Sequence, residues 1–213
     1  MKKNLTVVII LILFSFPCLS QTNNANSGIK IEEYFVPLVT APDYDILYCY
    51  KNNCDIDDCV NEQRKKFSIK STNNLKLITE QDLDLKSIIK YKVVNNTIVS
   101  YESYNPVLEL IGENPNTKMN NIVLKIPNNT WVVSEGRETT TYKTYWGTYE
   151  NEKCIVREEK VKFINPSAEE QKIEKIITKS YFMKYVGFAY QTTYLNGVQR
   201  KSFCIEYINT WGD

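Results

Sequence analysis

The chain contains no histidine among its 213 residues. That absence removes Ser-His-Asp and Cys-His nucleophile arrangements, HExxH zinc sites and imidazole proton shuttles. Any acid or base must be a carboxylate, lysine, tyrosine or cysteine. Glycine is scarce, at positions 28, 112, 136, 147, 187, 197 and 212. None of these completes a GxGxxG or GxxxxGK(S/T) pattern, so dinucleotide and P-loop phosphate cradles have no support. An excess of either charge is also missing, with 26 Lys and Arg against 25 Asp and Glu. That balance leaves no electrostatic footprint for nucleic acid or an anionic membrane surface. No motif implies a cofactor or a metal.

Long apolar runs are missing too, apart from the first. Lys2 and Lys3 precede a nearly unbroken apolar stretch from Leu5 to Phe16. Cys18 and Ser20 stand at −3 and −1 of a cleavage site before Gln21. This is the layout of a secretory signal peptide, and the stretch is too short to span a bilayer. Bulky Phe16-Pro17 before Cys18 disfavours lipidation there. Residues 1–20 are therefore expected to be an export signal, with the mature protein in the periplasm or secreted and without a transmembrane segment. Residues 21–30 are polar and small, and suit a flexible leader.

What the chain does have is tyrosine, 15 in all, with frequent Asn and Ile. Short β-like runs punctuated by Asn, Pro and Gly recur from Asp45 to Ile208. That spacing predicts a single β-rich domain over 31–213, all-β and antiparallel, as a strongly curved sheet or incomplete barrel with one or two short helices. Thr79–Leu85 opens like a capping box and is expected as a short helix. Asp57–Lys66 is a second helical candidate, and residues 167–171 read as a loop or a single helical turn.

Three turns suggest hairpins. Asn196-Gly197 is the strongest signal, because both central residues of a type I′ turn take φ > 0. Centred there, Tyr190 faces Phe203, Phe188 faces Ile205 and Val186 faces Tyr207, all on one face, with Ala189 facing Cys204 on the other. Glu150-Asn151 centres a second hairpin, with Trp146 opposite Ile155, Tyr145 opposite Val156 and Lys143 opposite Glu158. Asn95-Asn96 marks a third, whose mixed polar and apolar pairs leave the register open.

Without the signal, five cysteines remain: 49, 54, 59, 154 and 204. Export permits disulfides. One bond is expected among Cys49, Cys54 and Cys59, as Cys54–Cys59 or Cys49–Cys59. Cys154 and Cys204 read as small apolar filler. The acidic loop 54–59 fails as an EF-hand: counted from Asn53, positions 6 and 12 are Asp58 and Arg64 instead of Gly and Glu. Glu150, Glu152, Glu158, Glu159 and Glu174 alternate largely with lysine, as solvated sheet faces do. No carboxylate pair stands out for hydrolysis.

The aromatics concentrate in the C-terminal half. Trp131, Tyr142, Trp146 and Tyr185 are the candidate ligand-binding residues, able to stack on sugars or line an apolar cavity. From Ile122 the order runs IVLKIPNNTWVVSEG, TYKTYWGTYENEKCIVREEK and YFMKYVGFAYQT. An apolar strand closed by Pro, a Thr-Trp pair, a Tyr strand turning into Cys-x-Val, and Tyr-Phe-x-Lys-x-Val-Gly follow one another. This half of the chain resembles exported bacterial β-rich proteins of uncharacterised function, with curved sheets like those of lipocalins and lipoprotein carriers. Where that family has Gly-Val-Gly, this chain has Tyr185-Val186-Gly187. The resemblance implies a fold and no activity. The expected function is non-catalytic binding of an apolar or amphipathic ligand. The alternative is a carbohydrate- or protein-binding surface module, and a carboxylate-dependent hydrolase is the third reading.

Overall fold

The computed structural model describes residues 28–37, 46–51, 61–73, 75–164, 166–167 and 175–209. The expected export signal and leader up to residue 27, Cys54 and Cys59 lie outside them, as do residues 168–171 of the expected loop. Twelve strands follow in order: β1 Ile46–Lys51, β2 Asn61–Thr72, β3 Leu75–Asp82, β4 Ile88–Val94, β5 Thr97–Tyr104 and β6 Asn116–Lys125, then β7 Asn129–Glu135, β8 Glu138–Tyr149, β9 Glu152–Phe163, β10 Ile176–Met183, β11 Gly187–Leu195 and β12 Val198–Asn209. A 3-10 turn, Ile31–Tyr34, precedes them. The short helix α1, Pro106–Leu110, is capped by the Asn105 side chain, which accepts from Val107 N.

The fold is mostly β and antiparallel. Strands β1–β6 form one six-stranded meander and β7–β12 another, joined where β1 pairs with β12. Strands β6 and β7 are the two edges, although only residues 126–128 separate them in sequence. Side chains secure that corner. Thr144 Oγ1 donates to Ile126 O at 2.8 Å and Asn129 Nδ2 donates to the same carbonyl at 3.0 Å.

The turn chemistry follows the sequence. Asn95 and Asn96 (φ 48° and 54°), Glu150 and Asn151 (50° and 66°), and Asn196 and Gly197 (50° and 81°) all take positive φ, as two-residue hairpin turns require. The 150–151 hairpin has the expected pairs, Trp146 with Ile155, Tyr145 with Val156 and Lys143 with Glu158.

The hairpin at 196–197 departs from expectation in register. Leu195 pairs with Val198 and Tyr194 with Gln199, but Arg200 is skipped, and from there Thr193 pairs with Lys201 and Tyr190 with Cys204. A second extra residue, Ala189, sits between the pairs Phe188–Phe182 and Tyr190–Tyr181. Each bulge advances one strand by a residue and reverses its alternation. Phe188 and Tyr190 therefore do not share a face. Phe188 meets Phe182 at 5.8 Å between rings on the core side. Tyr190 joins Tyr181 and Tyr149, at 5.2 and 5.0 Å, on the other.

Neither expected helix is present among the described residues, and 57–60 of the second lie outside them. Residues 79–82 end β3, hydrogen-bonded to β2 and β4 on either side. The Asp82 carboxylate instead closes the following turn, accepting from Asp84 N at 3.0 Å and Leu85 N at 2.8 Å. Residues 61–66 belong to β2. Asx turns compete with helix starts for the same side chains.

The inner faces of both meanders meet around one core. Ile78, Tyr91, Ile98 and Leu124 come from β3–β6, and Ile155 and Phe182 from β9 and β10. Each such fully buried aliphatic side chain stabilises by about 1.5–3 kcal/mol. The segment 30–37 seals one end. Ile31 and Val36 enter the core, Phe35 packs edge-on to Tyr91 at 4.9 Å, and Tyr34 does so to Trp146 at 5.7 Å. Glu32 pairs with Lys76, and Glu33 with Lys184 at 3.2 Å.

A candidate ligand cavity between the meanders

Beside the core lies a cavity of about 310 Å³ walled by both meanders and by Phe35 of the sealing segment. Strand alternation fixes its wall. Lys65 and Phe67 share a face of β2, Ser180 and Phe182 share one of β10, and Arg157 follows the core residue Ile155 on β9. Apolar surface comes from Phe35, Phe67, Tyr91, Val123, Phe182 and Phe188, and polar groups from Lys65, Glu80, Arg157, Ser180 and Gln191.

Two charged groups dominate. Glu80 takes Lys65 Nζ at 2.6 Å on Oε1 and the Tyr91 hydroxyl at 2.8 Å on Oε2. These are diagonal contacts across neighbouring strands, since Glu80 pairs with Phe67 and Ile89. Burial first, and the Glu80 charge second, push the Tyr91 phenol far above its ordinary range. It remains a neutral donor to a carboxylate held on both oxygens. Glu80 is the sole carboxylate among the described lining residues.

Arg157 is the other. Its Nη1 donates to Val123 O at 2.6 Å, and its Nη2 lies 2.6 Å from Glu159 Oε1. Val123 is skipped in the β5–β6 register, which leaves its carbonyl available. The guanidinium carbon lies 5.6 Å from the Phe182 ring and 6.0 Å from the Tyr142 ring. Nε is buried and has no acceptor among the described residues. An unmet buried donor of this kind destabilises by about 1–3 kcal/mol.

The four aromatics singled out in the sequence do not converge. Trp131 and Tyr142 stack at 5.1 Å and 8° between β7 and β8, with Lys125 Nζ 5.3 Å from the Trp131 ring. Trp146 supports the sealing segment through Tyr34 and lies 4.0 Å beneath Lys153 Nζ. Tyr185 is exposed at the β10–β11 turn, beside Lys184. None is among the described lining residues, although Tyr142 adjoins Arg157. Cys49 lies on β1, in register with Glu62 and Glu206. The expected solvated acids are partly enclosed instead, Glu158 at 14 % and Glu159 at 20 % side-chain exposure.

Sequence reasoning missed Arg157, Lys65, Glu80 and Tyr91. The available signal was Ile155-x-Arg157, a charge two residues along a strand from a core aliphatic. Among the described residues, no three Cys, Asp or Glu are grouped to hold a metal ion, and no helix is long and apolar enough to cross a membrane.

Comparison with known proteins found no matching family model, no similar curated protein and no similar solved structure.

Proposed function

We propose that this is an exported, non-catalytic binding protein that holds one small apolar or amphipathic molecule in the cavity, with the sheet strongly curved around it as an incomplete barrel. One observation carries this reading: six aromatic or aliphatic side chains from both meanders and the sealing segment line one space, with five polar residues converging on it. Ligand sites have that composition, and the volume lies at the lower end of their usual range of about 300–1,000 Å³. At about 30 Å³ per water-sized group, it suits roughly ten non-hydrogen atoms. Calorimetric titration with straight-chain alcohols and carboxylates of six to twelve carbons tests it. The expected result is saturable one-to-one binding with an optimum near eight carbons, abolished by Ser180→Phe. Absence of binding across both series would overturn it.

A second reading rests on the opposite face. Tyr149, Tyr181 and Tyr190 form a mutual ring cluster there, with Tyr149 and Tyr190 stacked at 5.0 Å and 11°. Tyrosine faces of this kind bind glycans or proteins. Glycan binding lost in Tyr190→Ala but kept in Ser180→Phe would favour it.

A further inference from the structure

We propose that the ligand is uncharged, a medium-length hydrocarbon chain whose head both donates and accepts hydrogen bonds, of the hydroxyl or carboxamide type, and that Ser180 and Gln191 hold this head. This rests on the cavity reading above and adds the chemistry of the ligand. Strand register places the two groups. Arg157 pairs with Ser180, and Ser180 pairs with Gln191. All three line the cavity. Two residues along β9 and β10, Ile155 pairs with Phe182, and Phe182 with Phe188 across the bulge at Ala189. An apolar row thus lies directly beside a polar one, as an amphiphile requires. Ser180 is 1 % exposed, so a head seated on it leaves water while the chain lies along Phe182 and Phe188.

The neutrality of the head follows from what the protein has already paired. Lys65 is held by Glu80, which also takes the Tyr91 hydroxyl. Arg157 is held by Glu159 and the Val123 carbonyl. Each cation of the described lining therefore has its own carboxylate. A carboxylate or ammonium head entering here either breaks one of these pairs or is buried without a counter-ion, and both are costly. Ser180 and Gln191 differ from the charged groups. Neither side chain hydrogen-bonds to another described residue. The serine hydroxyl and the glutamine amide each offer a donor and an acceptor. Side by side in register, they complement a neutral head that does both. A buried hydroxyl without a partner is unfavourable to the folded protein, and the head supplies that partner.

The test compares octan-1-ol, octanamide, octanoate, octylamine and 1-methoxyheptane on the full-length protein by calorimetry near neutral pH. The ether matches octanol in size but only accepts. Octanol and octanamide are expected to bind at least about tenfold more tightly than octanoate and octylamine, because a charge buried without a partner is penalised at least that much. They should also bind roughly three- to tenfold more tightly than the ether. The apparent affinity of octanoate should rise about tenfold as pH falls from about 7 to about 6, because only its neutral form enters, and that of octanol should stay constant. Ser180→Ala should weaken octanol roughly three- to tenfold, the loss of one neutral hydrogen bond. Its urea midpoint should be unchanged or raised, since the deleted hydroxyl has no partner in the free protein. Octanoate or octylamine binding as tightly as octanol overturns the neutral head. An ether as tight as octanol overturns the hydrogen-bonding role, as does a Ser180→Ala variant that binds octanol like the wild type or unfolds at lower urea. Each of these results leaves the cavity reading standing. Binding of none of the five overturns the cavity reading itself.

Discussion

Arg157 Nη1 donates to the carbonyl of Val123 at 2.6 Å, tying an inner strand of one meander to the edge strand of the other. Edge strands carry unpaired backbone groups that proteins must satisfy or protect. Here one side chain meets that need and also lines the cavity. The same guanidinium neutralises Glu159, whose side chain is 20 % exposed.

Replacing Arg157 by methionine removes both contacts and strands the Glu159 carboxylate. The expected loss is about 2–3 kcal/mol, the range for hydrogen bonds to charged groups and broken, partly buried ion pairs. Adding Glu159→Gln should restore part of it. Urea unfolding measures both variants. An unchanged midpoint for the single variant means that this contact does not hold the edge.

Gly187 makes a second close approach. Its φ is +78°, and a Cβ there meets Phe35 O at 2.8 Å. Gly136 also has positive φ, +55°, but open space around it. Alanine at 136 therefore reports backbone strain alone, and alanine at 187 reports strain plus displacement of the sealing segment. The 187 variant should lose about 1–3 kcal/mol, more than the 136 variant, and become sensitive to proteolysis near residues 30–37. Equal losses would mean that 30–37 does not pack against Gly187.

How much of this was legible in the sequence depended on whether alternation held. The turns at 95–96 and 150–151 declared themselves through Asn and polar neighbours, and the 150–151 pairs followed by counting. Counting failed at Ala189 and Arg200, because a bulge needs no Gly and neither residue type marks one. The error reached the site, since the bulge at Ala189 is what carries Phe188 to the core face and Tyr190 away from it. Arg157, Glu158 and Glu159 were hidden for a related reason. A run of charges next to lysines reads as solvated, and only the pairing of β9 on both sides shows that Arg157 and Glu159 face inward. Lys65 and Glu80 meet diagonally across strands, a contact invisible without the register. The long-range closure by residues 30–37 leaves no local pattern at all.

Alkaline titration should show delayed tyrosines. Burial, as the largest cause, raises the phenol pKa of Tyr34, Tyr91, Tyr142, Tyr145 and Tyr181, with Tyr145 pushed up to about 12 by burial and then by the Glu158 charge. In the unfolded chain each ionises near its ordinary value of about 10. Above that pH the unfolded state binds fewer protons than the folded one, so stability falls as pH rises from about 10 towards the folded value, about 12 for Tyr145. Below about 10 these groups contribute no slope. Phenolate absorbance should rise late in the folded protein and near pH 10 in denaturant. Coincident curves would place these rings in water.

Cys154 gives a prediction that needs no variant. Its side chain is fully buried, beside Val156 on the face of β9 opposite Ile155 and Arg157. It is a free thiol, and β10 and β11 separate its strand from β12, where Cys204 lies. Burial pushes its pKa from the ordinary 9.0 up to about 11. The thiolate is the species that reacts with iodoacetamide. A rise of that size lowers the thiolate fraction at mildly alkaline pH about a hundredfold, before access is considered. Native protein treated with iodoacetamide and then digested should therefore show Cys154 unmodified, whatever happens at the other cysteines. The same treatment in denaturant should modify it fully. The two states differ in both thiolate fraction and access, and pH separates them. If ionisation limits the reaction, native labelling should rise about tenfold per pH unit towards 11, and if local opening limits it, labelling should be flat with pH. Rapid labelling of native protein near neutral pH would show that β9 is not covered on this face and that Cys154 is not core filler.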